Sequence, residues 1–127
     1  MNDLNIGDIV TSIYKTGKYI GEVTDIRPQH YLVRTLAVLK HPMQGDLHNP
    51  KEVGFGFFHE RKALAFREQA NVPKQMVKPY LETVPSYEDS LKASIQRLRD
   101  ELTNDTSEWA SLSLKNIASI ESEYLKK

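Results

Sequence analysis

Cysteine is absent from all 127 residues. That removes disulfides, thiol nucleophiles, Cys-ligated zinc or iron, and the thiol that would carry the lipid of a lipoprotein. Excess charge is also missing: Lys plus Arg and Asp plus Glu each number 17, and the halves divide evenly, nine basic against eight acidic residues through Ala70. A duplex-binding domain needs surplus cations to displace counterions from phosphates, so DNA is not an expected partner and RNA is disfavoured. No apolar run approaches the roughly 20 residues that span a bilayer. The opening Met1-Asn2-Asp3-Leu4-Asn5 lacks the positive segment of a secretory leader. The expected location is cytoplasmic, without direct membrane insertion, and recruitment to a membrane would have to come through a partner. Internal repeats and low-complexity tracts are absent too.

What is present suits one foldable unit with two subregions, at 39% hydrophobic and 27% charged residues. Residues 30–66 organise it. Residues 31–39 form the longest apolar strand candidate, ending in Leu36-Ala37-Val38-Leu39. Upstream, residues 9–15 alternate as a strand, Thr16-Gly17 reads as a tight turn, and residues 18–27 form a second strand that Gly21 interrupts as a bulge would. Residues 40–50 carry Pro42, Gly45, Asn49 and Pro50 and read as a long loop. Strand character resumes at 53–58, and Leu64 and Phe66 alternate as a closing strand over 63–66 would.

Beyond residue 70 the period changes. Residues 71–85 read as a connector with one helical turn at 73–78, since Pro73 suits a first helical position. Tyr87, Leu91, Ile95, Leu98 and Leu102 then follow the spacing of one helix face, with Ser86 as its cap. A second helix carries Trp109, Ile117, Ile120 and Tyr124 on one face, with Asp105 or Thr106 as cap. The predicted fold class is α+β: an SH3-like five-stranded β-barrel over 1–70, the connector, and an α-helical hairpin over 86–127 packed on the barrel.

No constellation of residues announces a reaction. His41, Asp46, His48 and His59-Glu60 combine imidazole and carboxylate, which suits divalent ions, but ordinary loop hydrogen bonding accounts for the same residues. Adjacent His59 and Glu60 would point to opposite faces of a strand, no Ser-His-Asp pattern has a recognisable context, and Gly54 and Gly56 are followed by neither a helix start nor a lysine. The expectation is no enzyme activity, no cofactor and no metal site. Tyr14, Lys15, Lys18, Tyr19, Tyr31, Arg34 and Lys40 interleave aromatic and basic residues as a single-stranded RNA binder would, although Asp8, Glu22 and Asp25 weaken the field. RNA binding is the alternative function.

Three separated blocks carry a family resemblance: residues 7–23 (GDIVTSIYKTGKYIGEV), residues 36–49 (LAVLKHPMQGDLHN) and residues 57–69 (FFHERKALAFREQ), extended by Asn71, Pro73, Gln75, Met76, Val77 and Tyr80. In these the chain resembles the kinase-associated lipoprotein B family of spore-forming bacilli. The resemblance implies an SH3-type barrel followed by helices, and a non-enzymatic accessory role with a sensor histidine kinase that feeds the sporulation phosphorelay. The lipid of the family name has no Cys here to carry it. A long loop beside aromatics offers hot-spot chemistry, which places the expected partner-binding residues at Lys40, His41, Asp46, His48, Asn49, Phe55, Phe57 and His59.

Overall fold

A computed structural model describes residues 4–45 and 60–125. Five antiparallel strands form one sheet: β1 (Ile9–Tyr14), β2 (Gly17–Ile26), β3 (His30–Lys40), β4 (Gln69–Pro73) and β5 (Val77–Pro79), in the order β4-β3-β2-β1-β5. Two helices follow, α1 (Tyr87–Thr103) and α2 (Glu108–Leu125). The fold is α+β, as the sequence implied.

The β1–β2 turn is Lys15-Thr16, and Lys15 takes the left-handed conformation at φ 55°. The turn expected at Thr16-Gly17 falls one residue earlier, and Gly17, the first residue of β2, is needed for space. A Cβ there would stand 2.4 Å from the Tyr19 hydroxyl. Gly21 has the same role further along β2, where a Cβ would meet Val33 Cγ1 at 2.4 Å and the Arg34 carbonyl oxygen at 2.6 Å. The β2–β3 register shifts at that point, so Gly21 lets β3 close in where the sheet bends.

The bend is required by connectivity. Strands β4 and β5 lie at opposite ends of the sheet order, yet only a single 3-10 turn, Lys74–Met76, joins them. In a flat sheet four strand spacings would separate them by about 19 Å. Four residue steps reach at most ~14 Å even fully extended, and less when wound. The sheet therefore curls until its edges approach, although among the described residues no ladder joins β4 to β5. Curling gives the sheet a concave interior, filled by Val10, Val23, Tyr31, Val33, Ala70, Val72 and Val77. A second cluster joins the sheet to the helices through Tyr19, Val38, Leu91, Ile95, Leu98, Leu102, Trp109, Ala110 and Ile117.

Ser86 caps α1, accepting the Asp89 N–H at 3.1 Å. For α2 the cap is Ser107, one or two residues later than expected: its Oγ accepts the Ala110 N–H while Asp105 holds the Ser107 N–H. Ser90 ties α1 to the sheet, accepting the Val38 N–H at 2.9 Å.

The strand expected over residues 63–66 does not form. Side chains from three elements occupy its backbone groups, as described below, and the last two strands fall instead within residues 69–79, read from sequence mostly as connector. The alternation was present there: Ala70 and Val72 are buried while Gln69 and Asn71 are exposed. The helical turn expected at 73–78 is the 3-10 turn, shorter than foreseen. The strand expected at 53–58 lies outside the described residues.

Because the Gly21 contacts include backbone, Gly21→Ala should overpack the bend and lower stability by about 1–3 kcal/mol. Urea unfolding followed by tryptophan fluorescence checks this, with an unchanged midpoint as the contrary result.

Candidate partner-binding groove

Residues 60–65 run across the molecule as a strap without secondary structure. Their backbone groups are satisfied by side chains. The Tyr124 hydroxyl of α2 accepts the Ala63 N–H at 2.9 Å, and the Tyr19 hydroxyl of β2 accepts the Leu64 N–H at 3.2 Å. The Tyr87 hydroxyl of α1 donates to the Leu64 carbonyl at 2.6 Å, and the Glu68 carboxylate accepts the Ala65 N–H at 2.8 Å. Gln44 completes the set at the strap's start. Its Oε1 accepts the Arg61 N–H at 2.9 Å and its Nε2 donates to the Arg61 carbonyl at 2.9 Å, as a neighbouring strand would. The same amide donates to Pro42, and the Gln44 carbonyl accepts the Trp109 indole N–H.

Burial raises the phenol pKa values of the strap's anchors. Tyr19 and Tyr124 are each pushed up to about 12, offset only in part by the backbone N–H each accepts, and Tyr87 is raised further. All three remain neutral through the physiological range.

Between the strap, the end of the β1–β2 hairpin and the two helices lies a groove of about 970 Å³. Tyr14 and Tyr19 form the sheet side, Tyr87, Leu91 and Ile95 the α1 side, and Tyr124 the α2 side, with Ala63, Leu64 and Ala65 of the strap. Its rim is charged, and four of the rim residues make ion pairs: Lys62 with Glu123, Lys92 with Glu88, and Glu121 with Arg99. Phe66, 54% exposed, stands beside Tyr87 with ring centroids 5.8 Å apart. Apolar walls and satisfied hydroxyls make the groove a candidate site for a partner's side chains, and among the described residues no poised nucleophile or acid-base pair faces it.

Of the expected partner-binding residues, Lys40 is exposed at the end of β3. His41 is not surface. It is 1% exposed, and its ring links Pro42 to Tyr124. A carbonyl can only accept, so Nδ1 carries the proton toward Pro42 and Nε2 accepts the Tyr124 hydroxyl at 3.1 Å. Desolvation lowers the His41 pKa, with the Pro42 hydrogen bond acting the other way. Asp46, His48, Asn49, Phe55, Phe57 and His59 lie outside the described residues. Among the described residues no three His, Asp or Glu side chains could hold a metal, and no helix is long and apolar enough to cross a membrane. The aromatic and basic alternation that suggested RNA is divided by the fold: Tyr19 and Tyr31 are buried in the two cores and offer no stacking face.

The family model described as kinase associated protein B matches residues 14–125. The chain belongs to that family. It is 54% identical over its full 127 residues to kinase-associated lipoprotein B of Bacillus subtilis (strain 168), covering 99% of that relative. A crystal structure of kinase-associated protein B from Bacillus cereus superposes with a TM-score of 0.85 at 48% identity, over 96% of this chain and 98% of that one. Every part of the groove described here therefore falls within the stretch that the kinase associated protein B family shares.

Sequence reasoning missed the strap anchors. Tyr87 and Tyr124 were read only as members of apolar helix stripes, and Gln44 as a loop residue; nothing local to them signals a backbone partner far along the chain. Gln44→Ala should cost about 1–3 kcal/mol by leaving both Arg61 backbone groups without a partner, measurable as a lower urea midpoint. His41 predicts a pH effect. With its folded pKa below the ordinary 6.5, the unfolded chain takes up a proton first as pH falls, so the His41 contribution is complete above about 6.5 and is lost as pH drops through the folded value. Urea midpoints measured from pH 7.5 downward should fall below about 6.5, and His41→Gln should flatten that slope.

Proposed function

We propose that this protein is a non-enzymatic accessory protein that docks onto a sensor histidine kinase of the sporulation phosphorelay. Full-length similarity to a relative named for kinase association is the observation that carries this reading. The groove supports it chemically. Tyrosine and aliphatic walls beside the exposed Phe66 are the composition of interface hot spots, where aromatics supply contact area at low entropic cost. A strap whose backbone groups are held by side chains from three elements supports a preorganised surface.

We also ascribe the sheet to the SH3-like class. A four-strand meander followed by a short turn and a fifth strand returning to the first supports the ascription, because that wiring brings the two edges of a small sheet together.

Co-purification with the kinase's cytoplasmic region at micromolar protein and low salt tests the proposal. The parent protein should be retained, and Phe66→Ala should weaken retention by about tenfold, the scale of one hot-spot aromatic. Retention of neither protein, with both folded by circular dichroism, would contradict it.

A further inference from the structure

The sheet register sets three residues in one row across β1, β2 and β3. Ile13 is opposite Lys18, and Lys18 is opposite Lys40. Directly opposed residues of antiparallel strands share a face, with Cβ atoms about 4.5–5.5 Å apart. All three are exposed. A third cation arrives from α1: Arg97 donates from Nη2 to the Leu39 carbonyl at 2.7 Å, next in the chain to Lys40. None of Lys18, Lys40 and Arg97 makes an ion pair among the described residues, whereas Lys62, Lys92 and Arg99 each have one. The next acidic residues along α1, Asp100 and Glu101, are exposed, and Asp100 accepts the Gln96 amide.

Like charges placed directly opposite one another destabilise a sheet. Here three cations stand together with no carboxylate paired to them among the described residues, around the exposed edge of an isoleucine. We propose that the row Ile13, Lys18 and Lys40, extended by Arg97, is a docking surface for an acidic polypeptide segment, which would neutralise the cations and cover Ile13. Assigning that segment to the kinase rests on the function proposed above; the surface itself does not. Nucleic acid fits less well, since three cations fall short of the roughly six to ten phosphate contacts of a typical binder and the chain has no net charge. A membrane surface is also less favoured, because the row lies in a sheet and not on an amphipathic helix with a basic face.

Backbone amide shift mapping of the full chain with a hexaglutamate peptide tests the assignment, alongside hexalysine, phosphatidylserine-containing vesicles and oligodeoxythymidine. Shifts should concentrate at Ile13, Lys18, Lys40 and Arg97, weaken with salt, and be absent with hexalysine. The double variant Lys18→Gln/Lys40→Gln should bind hexaglutamate about tenfold more weakly and, relieved of repulsion, melt at a higher temperature than the parent. Unchanged peptide affinity in that variant, shifts centred elsewhere, or tighter binding of vesicles or oligodeoxythymidine than of the peptide would overturn the proposal. The kinase's cytoplasmic region separates the two readings. Kinase binding unaffected by the double variant overturns the assignment of the acidic segment to the kinase and leaves the kinase role standing; peptide binding without kinase binding overturns the kinase role and leaves the surface standing.

Discussion

A three-residue turn governs the architecture. Lys74–Met76 must carry the chain from the β4 end of the sheet to the β5 end, which a flat sheet does not permit. Curling follows, and with it the need for small residues where strands close on one another, which Gly21 meets. The concave interior that results accepts one layer of side chains. The outer end of the sheet, with Tyr19 and Val38, is left for the helices to cover.

That division creates the strap. Among the described residues no strand pairs with residues 60–65 as they cross between sheet and helices, and polar side chains hold their backbone groups: tyrosine hydroxyls from β2, α1 and α2, and the amide of Gln44. Each hydroxyl also fixes its aromatic ring, so the interactions that hold the backbone shape the groove wall. Stability and surface are thus coupled. His41 lies at the junction, accepting from the same Tyr124 hydroxyl that accepts from Ala63, and its neutrality is part of the packing.

The legibility of these features in the sequence follows how local their causes are. The β1–β2 hairpin, β3 and both helices rest on short-range periodicity, and they are found close to where pattern places them. Ser86 was readable as a cap because the interaction spans three residues. Residues 63–66 looked like a strand because Leu64 and Phe66 alternate, yet the groups that claim their backbone sit as far as 61 residues away, as with Ala63 and Tyr124. The short β4 was hidden by its ending at Pro73, although the Ala70 and Val72 alternation was there. Of the two expected site residues that the structure describes, Lys40 is exposed and His41 is buried, and a histidine amid loop residues gives no local sign that a helix end 83 residues on will cover it. The family resemblance was legible because its motifs are contiguous.

The central claim is that sheet, strap and helices together form one preformed docking groove. Amide hydrogen exchange read by mass spectrometry, with and without the kinase's cytoplasmic region, tests it most directly. The account predicts added protection on partner binding in three separated stretches at once, residues 14–19, 61–68 and 87–95, with the sheet interior unchanged. Protection confined to another surface, or a complex that forms while all three stretches exchange as before, would contradict it.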